Sequence, residues 1–443
     1  MRLMFIVPRR SGGGGAEKVI ANLASGLADC HEVYLVSMWG PLGFPYPVSD
    51  RVNVIGLENK SGVWGAFDRL WRFLHLSHFT WLGRVKEYFD NQYRIKAVRR
   101  LKRELGIDCA VSFLSPANAL NTATGTECPA IISIRSCMVG EYAPHEAREP
   151  AGKNTLIYSC QHADRIVSVS REAVNGLVES FGAGPEKIAV IYNPCDLERI
   201  KRLGDETPDD EAILRRMEEA GFVFISSGRI TPKKGQWHLI HAFSQVQRRH
   251  PEALLVILGR IDNKKTESLL RRTIAEKQLE EHVLLAGFHE NPFAYVSRGD
   301  TFVLSSFNEG FPNALVEAMA LGLPVISTDC RSGPREILAP GTVCTEKTTG
   351  IDAAEYGILT PECSGDDRID RPAERNEMLL AEAMLSLMEN PELRKHYSKQ
   401  SLERASHFGK EDFLAQWETL IRDAVQNGKN RSRGKSSIKG ESK

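Results

Sequence analysis

Residues 301–322 read Thr-Phe-Val-Leu-Ser-Ser-Phe-Asn-Glu-Gly-Phe-Pro-Asn-Ala-Leu-Val-Glu-Ala-Met-Ala-Leu-Gly. The β-prone run Thr301–Leu304 predicts a short buried strand. Pro312 suits the first position of a helix, because proline lacks the N–H that would go unpaired there. Gly322 stands where a helix stop is expected. The stretch is therefore a strand, a loop and a helix, with Glu309 in the loop and Glu317 on the helix.

The same grammar extends in both directions. Upstream it gives a strand at Phe222–Ser226, a helix near Trp237–His250, and strands at Ala253–Leu258 and Val283–Ala286; downstream it gives a strand at Pro324–Ser327. The first half repeats it: a strand over residues 3–7, glycines, a helix from Ala16 to Ala28, then strands at Glu32–Ser37, Cys109–Phe113, Ala130–Ile134, Arg165–Val169 and Ile188–Tyr192. Strands alternating with helices predict α/β architecture with parallel sheets. The pattern breaks near Asn193–Asp205 and is polar through Asp209-Asp210-Glu211. A chain of 443 residues accommodates two such domains. The expected division is 1–195 and 196–409, with a helix near 410–425 packing back on the first domain. The Gly/Ser/Lys/Arg-rich stretch 427–443 is expected to be a disordered basic tail.

Composition excludes several classes. Hydrophobic residues make up 42% and charged residues 26%, a globular balance, and the net charge is zero, so bulk charge gives no case for nucleic-acid binding. The nine cysteines are odd in number and form no C-x-x-C pair, which argues against a disulfide framework or a zinc site and fits a reducing cytoplasm. Leu3–Val7 is too short for a signal-peptide core, and no apolar run approaches the ~18 residues of a spanning helix.

Two features carry chemistry. Gly228-Arg229-Ile230-Thr231-Pro232-Lys233-Lys234-Gly235 directly follows a strand. Ligands of parallel sheets collect at the carboxyl ends of strands, so Arg229 and Lys234 are placed to meet an anion such as a diphosphate; the alternative is a solvated basic loop. Amide groups around Asn313–Leu315, at a helix start, form a second anion site. A carboxylate just ahead of it, Glu309, suits the hydroxyls of a sugar beside the phosphate; the alternative is an ordinary surface glutamate.

Together these residues resemble glycosyltransferase family 4, retaining enzymes of the GT-B fold. The E-x7-E element is reproduced by Glu309 and Glu317, the G-R-x4-K-G element by Arg229 and Lys234, and the N-x-x-D segment by Ile191–Asp196. Ser11–Glu17 is similar to the family's S-G-G-A-E loop. The resemblance implies two Rossmann-like domains facing each other across a cleft. It implies catalytic roles for Glu309, Arg229, Lys234 and Arg135, and a donor site including Gly14, Gly15, Arg229, Lys234, Glu309, Phe311, Asn313, Ala314, Leu315 and Glu317. Many members carry a His after the fourth N-domain strand; here Arg135 stands there, to bind acceptor diphosphate or donor, or to pair with a local carboxylate. Residues 327–338 and 355–359 resemble the hexose and N-acetylhexosamine transferases, GalNAc transferases among them, that extend polyprenyl-diphosphate-linked glycans. The implied donor is a UDP-sugar, and the implied chemistry is same-face attack with the leaving phosphate taking the acceptor's proton; a covalent role for Glu309 is the alternative. No Asp-x-Asp occurs, so the expectation is no metal and no cofactor.

Between Trp64 and Arg103 aromatic residues (Trp64, Phe67, Trp71, Phe73, Phe79, Trp81, Tyr88, Phe89, Tyr93) interleave with bases that include Arg94, Lys96, Arg99, Arg100, Lys102 and Arg103. Such a mixture suits an anionic membrane surface or an ordinary helix pair with aromatics in the core. The first reading places the protein peripherally on the cytoplasmic face of the plasma membrane. Competing functions are a GT-B sugar-nucleotide epimerase, a non-catalytic sugar-nucleotide binder and a Rossmann oxidoreductase; the last lacks a convincing G-x-G-x-x-G.

Overall fold

The computed structural model describes residues 1–8, 15–38, 46–57, 80–125, 127–136 and 150–438. The chain divides into two compact units: Met1–Val169, Val174–Ile191 and Glu411–Lys443 form one, Ser170–Ala173 and Tyr192–Lys410 the other.

In the first unit the strands β1 (Arg2–Val7), β2 (Glu32–Ser37), β3 (Val52–Gly56), β4 (Cys109–Phe113), β5 (Ala130–Ile134), β6 (Arg165–Ser168) and β7 (Ile188–Val190) lie in the order β3-β2-β1-β4-β5-β6-β7. All paired neighbours run parallel. A parallel sheet is covered on both faces, so its strands are apolar continuously rather than alternately. β1 shows this: Leu3, Phe5 and Val7 pack with Val19, Ile20 and Leu23, whereas Met4 and Ile6 pack with Val98 and Leu120. β3 was not expected from the sequence. It is an edge strand whose Val54 is 44% exposed, so it carries no apolar run to announce it.

The helix Lys410–Ile438 closes this unit. Phe413, Trp417, Ile421, Ala424 and Val425 recur at helical spacing on one face and join the core of β1 and β4. Trp417 is fully buried, its ring centroid 5.7 Å from that of Phe113. The helix runs on to Ile438 through the stretch expected to be disordered from Asn427. Extending a helix already nucleated by packing needs only one further backbone bond per residue, which a polar composition does not forbid.

In the second unit β8 (Phe222–Ser227), β9 (Ala253–Leu258), β10 (Val283–Gly287), β11 (Thr301–Leu304), β12 (Val325–Thr328), β13 (Asp352–Ala354) and β14 (Gly357–Thr360) take the order β10-β9-β8-β11-β12-β14-β13. Only β13 is antiparallel to its neighbour among the described strands. β13 and β14, three and four residues long, were not expected from the sequence. The order reverses between β8 and β11, and ligands of open α/β sheets bind beyond the strand ends at such a switch point. The loops leaving β8 and β11 are the two stretches singled out above.

The helices Gln236–Arg249 and Arg375–Glu389 are joined by a buried ionic network. Arg371 donates to both oxygens of Glu377, at 2.9 and 2.6 Å, and His238 Nδ1 lies 2.6 Å from Glu377 Oε1. Burial raises the Glu377 carboxyl, but hydrogen bonds from Arg371 and His238 outweigh it and bring the pKa down to about 2.

Candidate active site

The site is built from three loops that leave adjacent strands of the second unit. Phe307 N–H donates to Lys233 O at 2.8 Å and Ser305 Oγ to Lys234 O at 3.0 Å, which welds the β11 loop to the β8 loop. Glu309 N–H donates to Arg331 O at 2.6 Å and Ser332 N–H to Glu309 O at 3.1 Å, which fixes the β12 loop against the same backbone. Gly235 permits the first contact. It has φ +58°, and a Cβ there would lie 2.4 Å from Ser305 O. Lys234 lies along Gly228, where a Cβ would come within 3.4 Å of its Cε.

These loops bring Lys234 Nζ to 2.6 Å from Glu309 Oε1. The pair is largely sheltered, the side chains being 20% and 11% exposed, so its charges are screened less than on the surface. Ser306 Oγ donates to the same oxygen at 2.7 Å. Arg229 takes a different partner: its NH1 lies 3.2 Å from Asp262 Oδ2, with 55% of the side chain exposed. Asp262 also receives Arg260 Nε at 2.7 Å, and the hydrogen bonds from Arg260 and Arg229 hold its carboxyl below the usual range. Both cations therefore flank the switch point, Arg229 with one of its five donors spent on Asp262.

The helix after Glu309 spans Asn313–Ala320, with Pro312 as its cap rather than its first residue. Of its first amides, Leu315 and Val316 turn back to Pro312 O at 3.0 and 3.4 Å. Those of Asn313 and Ala314 have no intrahelical acceptor and are the donors left for a ligand. The Leu315 side chain is fully buried, and Phe311 is buried against Tyr192 and Phe408 with ring centroids 5.4 and 5.2 Å away. Neither side chain is open to a donor, and the Leu315 amide is already bound to Pro312 O. Glu317 is half-buried on the helix. Asn193, inside the Ile191–Asp196 segment, donates to Asn313 Oδ1 at 2.6 Å, and Asp196 caps the helix Leu197–Gly204.

In the stretch 327–338, Asp329, Arg335 and Glu336 serve the fold. Arg335 Nε binds Asp329 Oδ2 at 3.0 Å, and Glu336 accepts from Tyr192 Oη and the amides of Arg171 and Glu172 at 2.9, 2.7 and 3.0 Å.

Other expected site residues belong to the first unit. Gly15 opens the helix Gly15–Leu27, while Gly14 lies outside the described residues, as do Ser11–Gly13. Arg135 follows β5, with NH1 3.5 Å from Ser133 Oγ and its guanidinium carbon 5.9 Å from the Phe113 centroid. Burial pushes its pKa below the ordinary value.

Of the aromatic and basic stretch, Trp64–Phe79 lie outside the described residues and the helix Thr80–Glu104 carries the rest. Its bases are only partly available to a surface. Lys102 is buried, donating to Asn121 Oδ1 and Thr124 Oγ1 at 2.8 and 2.7 Å. Arg99 binds the carbonyls of Thr124 and Ala123, Arg100 pairs with Glu104, and Arg103 with Glu127. Tyr88 and Phe89 are exposed. Among the described residues no helix is long and apolar enough to cross a membrane.

One group of described residues has metal-ligand chemistry: His238, Cys363 and Glu374 each bring an atom within 4.8 Å of the others. Arg371 lies 3.3 Å from His238 Nδ1 and already supplies positive charge there, and burial pushes the Cys363 thiol up, away from the thiolate a metal needs. The cluster reads as part of the ionic network.

Residues 13–199 match the family model "Glycosyltransferase Family 4", and residues 211–358 match "Glycosyl transferases group 1". The chain belongs to glycosyltransferase family 4. Among relatives of this transferase, an uncharacterized glycosyltransferase of Methanocaldococcus jannaschii is 35% identical over 272 residues, 60% of this chain and 66% of that protein. The N-acetylgalactosamine-N,N'-diacetylbacillosaminyl-diphospho-undecaprenol 4-alpha-N-acetylgalactosaminyltransferase of Campylobacter jejuni is 27% identical over 402 residues, 90% of this chain and 93% of that enzyme. Anabaena HepE, solved in complex with UDP and glucose, superposes with a TM-score of 0.70 at 18% identity, over 96% of this chain and all of that one. At that identity the likeness establishes the GT-B fold alone.

Proposed function

We propose that this glycosyltransferase moves a hexose or N-acetylhexosamine, with N-acetylgalactosamine favoured, from a UDP-sugar to a lipid-linked saccharide on the cytoplasmic face of a membrane, with retention of configuration. The observation that carries the reading is the Lys234–Glu309 pair at 2.6 Å beside the switch point. A cation suited to phosphate stands next to a carboxylate suited to sugar hydroxyls. The name of the Campylobacter relative supports the sugar and the diphospho-undecaprenol acceptor, and the UDP in HepE supports the base.

As the glycosidic bond breaks, negative charge builds on the departing diphosphate. Lys234, Arg229 and the amides of Asn313 and Ala314 meet that charge, which lowers the barrier electrostatically. Glu317 is assigned to the ribose and Glu309 to the sugar. The leaving phosphate takes the acceptor's proton, so no carboxylic acid is needed as in retaining glycosidases. Glu309 accepts from Lys234 and Ser306 through Oε1, which keeps Oε2 for the sugar. The protein's own cations take the place of a metal, so activity should persist in excess EDTA. Exposed Tyr88, Phe89 and Lys96 support membrane contact through the helix Thr80–Glu104.

The test is a donor screen. Thermal shift with UDP-, GDP- and ADP-sugars should single out UDP-sugars, and product analysis on a polyprenyl-diphosphate-linked saccharide should give one added sugar. Stabilisation by another base, or hydrolysis without transfer, contradicts the proposal.

A further inference from the structure

Glu309 is anchored through one oxygen only. Lys234 Nζ and Ser306 Oγ both reach Oε1, at 2.6 and 2.7 Å. The two anchors differ in kind. Lys234 carries its charge on a flexible stem and is partly exposed, so an incoming diphosphate competes with Glu309 for it. Ser306 is fully buried. Its carbonyl accepts from Thr328 Oγ1 at 2.6 Å, and its neighbours Ser305 and Phe307 are bonded to the Lys233–Lys234 backbone. Its hydroxyl is therefore the anchor that stays when the nucleotide draws Lys234 away.

We propose that Ser306 is a positioning residue for Glu309, holding Oε1 so that Oε2 faces the donor sugar, and so governs turnover rather than nucleotide affinity. This rests on the reading of Glu309 as the sugar-binding carboxylate. A glutamate has three side-chain torsions. Without the serine it would follow Lys234, and a misplacement of ~1 Å in a site of this kind costs turnover up to about 100-fold.

The experiment compares wild type, Ser306→Ala, Glu309→Ala and the double variant for kcat, donor KM, UDP dissociation constant and unfolding midpoint. The account expects Ser306→Ala to lose about 10- to 100-fold in kcat. UDP affinity and midpoint should stay unchanged, and the serine substitution should cost nothing further in the Glu309→Ala background, the mark of two residues acting as one unit. Ser306→Cys keeps the bulk and a weak donor. It should fall between serine and alanine, and it serves if the alanine variant is unstable. Unchanged kcat in both variants, an equal loss in both backgrounds, or a UDP affinity that falls in step with kcat overturns the assignment. If wild type itself turns over no nucleotide sugar, the transferase reading has failed instead, and the parallel wild-type measurement tells the two failures apart.

Discussion

The loop Gly228–Gly235 and the helix Thr80–Glu104 are both rich in cations, and the sequence reads both as facing an anion. The structure treats them differently. In the loop, Lys234 is paired with the carboxylate expected to share its ligand, and Arg229 rests on a surface aspartate that can be displaced. On the helix, Lys102 is sealed inside the unit, and Arg99, Arg100 and Arg103 are occupied by carbonyls or carboxylates. The two loop cations stand at a strand switch point, where ligands of open sheets collect, and the bases of the helix do not. Position decides availability, and residue counts do not record it.

The largest effect that sharpens this contrast belongs to the loop. Glu309→Gln keeps the shape and the contacts to Lys234 and Ser306 but removes the charge; turnover should fall about 100- to 1000-fold, ~3–4 kcal/mol of transition-state stabilisation. Steady-state kinetics showing less than a threefold change would remove Glu309 from the reaction.

Next comes acid, which acts on the buried charges of the second unit. The Glu377 pKa is about 2 against an ordinary 4.5, so its contribution is complete above 4.5 and lost as pH falls from there toward 2, ~3 kcal/mol in all. Burial lowers His241 to about 4 from 6.5, so its contribution is complete above 6.5 and lost as pH falls toward 4. The second unit should therefore weaken in two stages on acidification, and Glu377→Gln should erase the lower one. Urea midpoints that are flat between pH 7 and pH 3 would contradict both.

Lys102→Met should then destabilise the first unit by ~2 kcal/mol, because Asn121 Oδ1 and Thr124 Oγ1 each lose a donor in a buried place. Its vesicle binding should stay as in wild type, since that ammonium never reaches the surface. The smallest effect is on the helix's exposed side. Lys96→Gln should weaken binding to anionic vesicles by about 1 kcal/mol at moderate salt. Co-sedimentation indifferent to the substitution and to added salt would make the helix purely structural.

The parts legible in the sequence were those written in contiguous residues. Continuous apolar runs such as Leu3–Val7 and Ala253–Leu258 marked covered parallel strands, and Pro312 and Gly322 bracketed the helix carrying Glu317. What escaped lies between distant residues. Arg229 finds Asp262 33 positions away, and Asn193 reaches Asn313 across 120. Ser306 stands only three residues before Glu309, yet its role appears when the β8 and β11 loops are laid side by side and both donors are seen on one oxygen. Lys102 escaped for the opposite reason: a lysine in a basic helix reads as solvated unless its buried acceptors are known.

The proposed catalysis turns on Lys234 meeting the diphosphate. Calorimetric titration of UDP into wild type and Lys234→Ala decides it. The substitution should raise the dissociation constant by about 10- to 100-fold, equivalent to ~1.4–3 kcal/mol for one charge-assisted contact, with the unfolding midpoint of the unliganded protein kept. Equal affinity in the two proteins would contradict it.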